Sequence, residues 1–284
     1  MKITVFGHLC IDENESEKSS YRSFGSPAMY IHLLLNNLPD NEVQIVSNYG
    51  QDFLEYAGKV NLYPTEPKYA VTMLNKNKSF ADGSRKSSSS QRQSNESVAI
   101  DEGVKQIIQN SDVIIVAPLL PDYKTSYLEE VFSHARKGTL KVLLPQGYFR
   151  KFDESDNQHF REFAEVGEVL DLFDYVILSD EDYPDVDKLS ETWAKTYASK
   201  VIMTRGEYGA RIYGPEGIVD VPTEKIEPAD IVDSVGSGDI FSASFVYRLV
   251  QIQDEKEAVK FANSVAGKCL KYTAVDIIEG RLKL

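Results

Sequence analysis

The stretch "IVDSVGSGDIFSASFVYRL" runs from Ile231 to Leu249 and places two glycines and two aspartates within seven residues, immediately before an apolar run that predicts a helix. Glycine at a helix start lets backbone N–H groups approach a ligand closely. The free N–H groups and the helix dipole then favour an anion. We therefore predict an anion-binding turn formed by Gly236, Ser237 and Gly238.

Asp239 follows this turn, in the first turn of the predicted helix. A carboxylate beside an anion is electrostatically unfavourable unless it takes part in chemistry. An alcohol can attack a phosphoryl group when a carboxylate accepts its proton and fixed dipoles hold the charge, and the motif meets both requirements. The spacing alone equally allows a glycine-rich helix start in which Asp239 only stabilises the helix dipole. A bulky side chain at Gly238 is expected to block the anion and to strain the backbone.

The composition is ordinary for a globular protein and makes some classes of partner unlikely. The 284 residues allow one large α/β domain or two smaller ones, and 42% hydrophobic with 26% charged residues is ordinary for a soluble protein. A net charge of −13 argues against nucleic acid or an anionic membrane as partner. Cys10 and Cys269 are too few for a disulfide framework and predict a cytoplasmic protein. The start reads as a strand, not a signal peptide, and no apolar run approaches the ~20 residues of a membrane span.

Apolar strand patterns alternate with helical patterns along most of the chain. Solid apolar strands between helices indicate a mostly parallel central sheet covered by helices on both faces, and we expect one α/β domain over residues 1–284. The predicted strands are "KITVFG", "VQIVSNYG", "DVIIVAP", "LKVLLP", "DYVILS" and "KVIMT", with a late hairpin of "GARIYG" and "GIVDVP". The predicted helices are "SPAMYIHLLLNNL", "DEGVKQIIQN", "YKTSYLEEVFSHARKG" closed by Gly138, and residues 157–170, 188–198, 239–251 and 255–271.

Residues 64–96 interrupt this alternation with a polar segment. One interpretation is a mobile surface loop. The other joins "KYAVTMLNK" to the arm after "DGSRK" as a hairpin, with "ADG" as its turn, forming a small β lid over the site.

Several common motifs are missing from the sequence. It contains no P-loop and no G-x-S-x-G elbow, and "GSGDIF" lacks the third glycine of a dinucleotide fingerprint. His8, His32, His134 and His159 show no metal-ligand spacing, and we predict that they are surface or helix residues.

The motif "DSVGSGD" resembles the D-T-x-G-A-G-D signature of the ribokinase-like (PfkB) carbohydrate kinases, with Ser234 and Ser237 in place of threonine and alanine. The resemblance implies an ATP-dependent kinase that phosphorylates a hydroxyl of a sugar or polyol, with Asp239 as general base and Mg²⁺ as cofactor. It also implies that Asp233 orients the acceptor or a magnesium-bound water. A monovalent cation and a homodimer are left open.

Further resemblances imply the other site residues. "VIMTRGEYGA" is similar to the family's T-x-G-x-x-G segment and "FANSVAG" to its adenine-pocket helix. They imply nucleotide-binding roles for Thr204, Gly206, Gly209 and Asn263. The front of the chain matches G-x-x-x-x-D and the glycine before the first helix, and "LLPQGYFR" resembles the D-P-N-x-R loop. These imply acceptor-binding roles for Asp12, Gly25, Gln146 and Arg150.

Departures from the family pattern leave the acceptor and the metal open. The magnesium-linked N-x-x-E motif appears as "LSDEDY", so that Ser179 and Asp182 take its two positions, with Asp182 acting indirectly, or the register shifts to Asp180 or Glu181. "SPAMYIHLL" and "PQGYFR" are similar to members that act on inositol-like polyols. Two alternatives remain: a nucleoside kinase, suggested by Phe24 and Met29 at the entrance, and a nucleotide-binding regulator without turnover.

Overall fold

The computed structural model describes residues 1–15, 20–80 and 85–282, which alternate between strands and helices. The strands are β1 (Lys2–Gly7), β2 (Cys10–Glu15), β3 (Ser20–Gly25), β4 (Glu42–Val46), β5 (Leu62–Tyr63), β6 (Met73–Ser79), β7 (Arg85–Ser90), β8 (Val113–Ala117), β9 (Leu140–Leu143), β10 (Arg150–Phe152), β11 (Gln158–Phe160), β12 (Tyr175–Ser179), β13 (Lys200–Thr204), β14 (Ala210–Gly214) and β15 (Gly217–Val221). The helices are α1 (Pro27–Asn36), α2 (Leu54–Ala57), α3 (Glu102–Asn110), α4 (Thr125–Ser133), α5 (Val166–Val169), α6 (Val186–Thr196), α7 (Ser237–Ile252), α8 (Glu255–Cys269) and α9 (Ala274–Ile278).

The central sheet of the described residues has nine strands in the order β15-β14-β13-β12-β9-β8-β1-β4-β5. Its pairs from β13 to β5 are parallel, whereas β14 and β15 add an antiparallel hairpin at one edge. This confirms the mostly parallel sheet and the late hairpin. The carboxyl ends of parallel strands lie at one edge of a sheet, where such folds bind their ligands.

Helices cover both faces of the central sheet, as the apolar strands predict. Val5 and Ile115 point to a core cluster that includes the apolar residues of α1, α7 and α8. Their neighbours Phe6 and Val116 point to a second cluster with α3, α4 and α6. Successive strand residues point to opposite faces, so both faces must be covered for these strands to be stable.

A second sheet, which we call the lid sheet, has the order β3-β2-β6-β7. Its hairpin β6–β7 runs from Leu74 opposite Ser90 to Ser79 opposite Arg85, which confirms the predicted hairpin and not a surface loop. The predicted "ADG" turn at 81–83 lies outside the described residues. The sequence analysis missed β2 and β3, so the lid sheet is larger than the segment 64–96.

Two helix predictions are wrong. Residues 157–170 do not form a continuous helix: β11 pairs antiparallel with β10, and only the short α5 follows. The cause is local, because the Asp153 carboxylate accepts hydrogen bonds from the N–H groups of Ser155 and Asn157 and fixes a turn that competes with a helix. Helix α4 ends at Ser133, and Gly138, with φ of 89°, belongs to the turn before β9.

Within the described residues, no three side chains of the types His, Cys, Asp and Glu lie together in a group that could hold a metal ion. His8 is buried rather than on the surface, and its Nδ1 accepts the N–H of Leu119 at 2.9 Å. Burial lowers the pKa of His8 to about 3 and that of His32, in α1, to about 4. Both cysteines are free and buried. None of the helices in the described part of the chain is long and apolar enough to span a membrane.

Candidate active site

The predicted anion-binding turn is held in place by Asp233. One carboxylate oxygen accepts the N–H of Val235 at 2.9 Å, and the other accepts the hydroxyl of Tyr21, in β3, at 2.9 Å. The turn that precedes α7 is therefore bonded to the lid sheet. Gly236 is the N-cap of α7 and has no side chain that could cap the helix. The first backbone N–H groups of α7 therefore receive no capping hydrogen bond from it and can donate to a ligand.

Gly236 and Gly238 have different physical roles. Gly236 has φ of 76°, and a Cβ there would lie 2.8–2.9 Å from ring atoms of Tyr30, in α1. Gly238 has an ordinary helical φ, and a Cβ there meets nothing within 4 Å. The expected backbone strain at Gly238 is therefore wrong: strain belongs to Gly236, whereas Gly238 faces open space.

Asp239 lies in the first turn of α7 and is half-buried. Burial raises the pKa of Asp239 to about 7, and the negative charges of Asp182 and Asp12 add to this, whereas Arg150 opposes it. The charges of two further carboxylates and of a guanidinium thus act on the carboxyl group at this helix start. A carboxyl group with a pKa near 7 is suited to proton transfer at neutral pH.

Asp182 follows the carboxyl end of β12 and accepts the N–H of Ser179 at 2.8 Å, which fixes its carboxylate. Burial raises the pKa of Asp182, while the Ser179 N–H and Arg150 lower it. Among the neighbouring acids Asp180, Glu181 and Asp182, it is Asp182 whose negative charge raises the pKa of Asp239. Carboxylate oxygens are the ligands that Mg²⁺ prefers, and a dication would relieve the repulsion between these two acids, so the residues fit the implied cofactor.

Gln146 and Arg150 lie together, because an Arg150 Nη2 donates to Gln146 Oε1 at 2.6 Å. Gln146 follows the carboxyl end of β9, and Arg150 begins β10. The charge of Arg150 lowers the pKa of both Asp182 and Asp239. The positive charge of Arg150 therefore offsets part of the repulsion between the carboxylates of Asp182 and Asp239.

A cavity of about 520 Å³ opens along the carboxyl edge of the sheet. Ten of the predicted site residues line it: Gln146, Asp182, Thr204, Gly206, Gly209, Gly236, Ser237, Gly238, Asp239 and Asn263. Its wall also has an apolar part made of Ile226, Ile231, Ala266 and Leu270. The cavity thus joins an apolar slot to the N–H groups at the start of α7.

Two residues expected at the nucleotide also have structural partners. Gly209 has φ of 85°, and a Cβ there would lie 2.3 Å from the carbonyl oxygen of Val221. Asn263 Nδ2 donates to the same carbonyl at 3.1 Å and is buried. Both residues therefore hold the chain after β15 against the cavity wall, and a nucleotide-binding role for them stays a prediction.

The predicted acceptor residues Asp12 and Gly25 are in direct contact. A Cβ on Gly25 would lie 2.0–2.6 Å from the carboxyl atoms of Asp12, so only glycine leaves this carboxylate in place. Asp12 is buried and accepts Asn75 Nδ2, from β6, at 3.2 Å. The lid sheet thereby presents a carboxylate towards Asp239.

The sequence analysis missed two rows of polar side chains that cross the lid sheet on the face of Asp12. The first row, in strand order, is Ser23, Asp12, Asn75 and Ser89. The second row is Tyr21, Asn14, Asn77 and Ser87. Side-chain hydrogen bonds of 2.6–3.2 Å link Asp12 through Asn75 to Ser89, and Asn14 through Asn77 to Ser87. The spacing D-x-N in "CIDENE" and N-x-N in "MLNKNKS" is the signal that could have revealed them.

A family model described as "pfkB family carbohydrate kinase" matches residues 80–278. This range covers more than half of the chain and contains the anion-binding turn and Asp239. The chain belongs to the PfkB family of carbohydrate kinases. Ribokinase of Bacillus subtilis (strain 168) is 36% identical to this PfkB chain over 70 residues, which are 25% of the chain. Ketohexokinase of Mus musculus is 37% identical over 62 residues, or 22% of the chain. The chain spans only 23% and 20% of the length of these two relatives.

Solved structures of the ribokinase family share the fold over nearly the whole PfkB chain. A sulfate complex of a pyrophosphate-dependent kinase has a TM-score of 0.76 at 14% identity, with 95% of each chain covered. A pyrophosphate-dependent kinase with a pyrophosphate analog and myo-inositol gives 0.74 at 14%, covering 98% and 99%. Arabidopsis thaliana ribokinase with ribose and ATP gives 0.69 at 15%, covering 99% and 98%. Burkholderia thailandensis nucleoside kinase with inosine gives 0.69 at 18%, covering 99% and 96%.

The two glycines of the turn should respond differently to the same substitution. We expect Gly236→Val to lower the free energy of unfolding by at least about 2 kcal/mol, because valine resists a positive φ and would overlap the Tyr30 ring. Gly238→Val should leave it within about 0.5 kcal/mol, since its side chain enters open space. Urea unfolding of both variants measures the difference, and equal losses would contradict these roles.

The raised pKa of Asp239 also predicts a pH-dependent stability. Because the folded pKa lies near 7 and the unfolded value near 3.8, ionising Asp239 destabilises the fold as pH rises between these values. Asp239→Asn removes this cost, so its gain in melting temperature should be larger at pH 8 than at pH 5. Thermal unfolding in EDTA measures both gains, and an equal gain at the two pH values would disprove the shift.

Proposed function

We propose that this chain is an ATP-dependent phosphotransferase that moves the γ-phosphate to a hydroxyl of a sugar or polyol. The observation that carries the proposal is the position of Asp239, with a pKa near 7, between the cavity along the sheet edge and the polar face of the lid sheet. This carboxyl group can accept a proton from an acceptor hydroxyl on one side while the phosphate lies on the other.

Asp239 is the general base of the proposed reaction. The acceptor oxygen forms a bond to the γ-phosphorus, the bond from phosphorus to the leaving oxygen of ADP breaks, and the hydroxyl proton goes to the Asp239 carboxylate. The N–H groups at the start of α7 stabilise the charge on the phosphoryl oxygens. Asp233 keeps these N–H groups in place through its bond to Val235.

The apolar slot supports ATP as donor. Ile226, Ile231, Ala266 and Leu270 offer a surface that suits an adenine ring, and pyrophosphate has no apolar part that could use it. The solved neighbours include both pyrophosphate-dependent kinases and a ribokinase with ATP, so the choice of donor depends on this slot. Thr204 and Gly206 would then lie beside the nucleotide, with Gly209 and Asn263 in its wall.

Asp182 is the residue that would hold Mg²⁺, directly or through water, because its carboxylate is fixed by Ser179 and faces Asp239. When bound, the ion would neutralise charge on the phosphate oxygens.

A sugar or polyol acceptor is supported by what lies around Asp12. Asp12, Gln146 and Arg150 offer hydrogen-bonding groups on the acceptor side. Phe24 and Met29, which suggested a nucleoside, are fully buried core residues; the Phe24 ring centroid lies 4.9 Å from that of Tyr56. They therefore provide no apolar pocket for a base. A solved neighbour binds myo-inositol, in line with an inositol-like acceptor here.

The lid sheet would close over the acceptor and exclude water, which limits wasteful ATP hydrolysis. The bond from Tyr21 to Asp233 supports this role, because it joins the lid sheet to the turn that would bind the phosphate.

A coupled assay of ADP release tests the proposal. The protein is incubated with Mg-ATP and with myo-inositol, ribose or inosine in turn. Release that depends on myo-inositol or ribose supports it. Release with inosine alone favours a nucleoside kinase, and no acceptor-dependent release favours a regulator. Replacing ATP by pyrophosphate and finding equal turnover would contradict the assignment of the donor.

Replacing the base should slow the chemical step strongly without unfolding the protein. Asp239→Asn keeps the shape but cannot accept the proton, so turnover should fall by about 10²–10⁴-fold, with ATP affinity unchanged or higher because a negative charge is lost. Asp254→Asn is the matched control, since Asp254 caps α8 and asparagine caps equally well. Near-normal turnover of Asp239→Asn would remove the catalytic role.

Gly238→Val should weaken ATP binding without unfolding the protein. Its side chain would project into the cavity where the N–H groups meet the phosphate. Calorimetric titration with Mg-ATP should show at least a 10-fold loss of affinity; full affinity would mean that this turn does not contact the phosphate.

A further inference from the structure

Three buried polar atoms near Asp12 have no hydrogen-bond partner among the described residues: the hydroxyl of Tyr30, the hydroxyl of Ser23 and Nδ2 of Asn14. Their residues are only 2%, 3% and 9% exposed. A buried polar group without a partner destabilises the folded protein, and such groups are uncommon enough in native proteins to call for an explanation. Three of them around one carboxylate indicate a surface built for a polar ligand.

Ser23 and Asn14 lie on the same face of the lid sheet as Asp12. Ser23 is directly opposite Asp12 in the antiparallel pair β2–β3, and Asn14 is two residues along β2 from it. The Oδ1 of Asn14 already accepts Asn77 at 3.2 Å, so its amide orientation is fixed and Nδ2 is left as a donor. Each row therefore contains one side chain with an unused hydrogen-bonding group, Ser23 in the first row and Asn14 in the second.

Tyr30 approaches the same region from α1. Its ring packs against Gly236, the N-cap of α7. Burial raises the pKa of Tyr30 well above its ordinary value, and negative charge adds to the shift, in decreasing order from Asp12, Tyr21, Asp239 and Asp233. The hydroxyl is therefore a neutral donor, and the carboxylates whose charges act on it belong to the lid sheet (Asp12), to the anion-binding turn (Asp233) and to the start of α7 (Asp239).

Packing alone does not account for the tyrosine. Phenylalanine would keep the ring against Gly236 and would bury no unpaired hydroxyl. An unpaired Tyr30 hydroxyl would lower the stability of the free protein, and a bound ligand that accepts its hydrogen bond would offset that cost.

We propose that Tyr30, with Ser23 and Asn14, binds the ring hydroxyls of a polyhydroxylated acceptor and rejects acceptors that lack them. Tyr30 and Asn14 donate to acceptor oxygens, and Ser23 either donates or accepts. A site with buried polar groups rejects a ligand that leaves them unpaired far more strongly than an apolar pocket rejects an extra hydroxyl. This inference rests on the proposed phosphotransferase function, because the acceptor must lie beside Asp239.

Tyr30→Phe tests the proposal in two measurements on the same protein. In thermal unfolding without ligand, the melting temperature should rise by about 2–4 °C, because a buried unpaired hydroxyl is removed. In calorimetric titration, affinity for myo-inositol or ribose should fall about 10-fold. Tyr127→Phe is the matched control. Tyr127 lies in α4, away from the site, and its hydroxyl donates to the carbonyl of Val98 at 2.9 Å. This variant should therefore melt at a lower temperature and bind the polyol as tightly as the unaltered protein.

Each outcome decides the matter. A lower melting temperature of Tyr30→Phe would show that the hydroxyl is satisfied in the free protein, and unchanged polyol affinity would show that it does not contact the acceptor; either result overturns the inference. Failure of the unaltered protein to bind both myo-inositol and ribose overturns it as well. Acceptor-dependent ADP release with inosine in that case would leave the phosphotransferase proposal intact, so the two failures are distinguishable.

Discussion

The crowding of negative charge at the start of α7 is the constraint on which the rest of the site depends. Asp239 lies in the first turn of α7, and its burial makes it costly to ionise; the negative charges of Asp182, after β12, and of Asp12, in the lid sheet, add to that cost. Arg150 offsets part of that cost. The fold maintains this arrangement because the three acids lie on different elements, each fixed by its own packing, so none can move away without disturbing a sheet or a helix.

The fold could be predicted where strand burial leaves a clear pattern. β8 and β12 are apolar runs, since a parallel strand covered on both faces has no polar side. β2 and β3 escaped prediction because "CIDENE" and "SYRSFG" carry polar side chains on one face of the lid sheet, so that they lack the continuous apolar run of the central strands. The wrong helix over 157–170 shows the other limit: the turn made by Asp153 depends on a few side-chain bonds that outweigh helix propensity.

Part of the candidate site could likewise be predicted from the sequence, and part could not. The motif from Asp233 to Asp239 could be found because the glycines and acids are contiguous, and the structure brings ten of the predicted residues to one cavity. Tyr30, Ser23 and Asn14 could not be found, because their importance depends on orphaned atoms that appear only when three distant segments meet. Gly209 and Asn263 match the family motif, but each also has a structural reason for its identity, because both contact the carbonyl of Val221.

The contact between Gly25 and Asp12 has a consequence for how this protein could change its acceptor. A methyl group at position 25 would occupy the space of the Asp12 carboxyl group, so the effect of a substitution at one position depends on the residue at the other. A larger residue at 25 becomes tolerable only after Asp12 has become smaller, and the acid must then be lost first. The two positions therefore form one mutational unit, and under the proposed function a route to a new acceptor through position 25 passes through an intermediate that has already lost the Asp12 carboxylate.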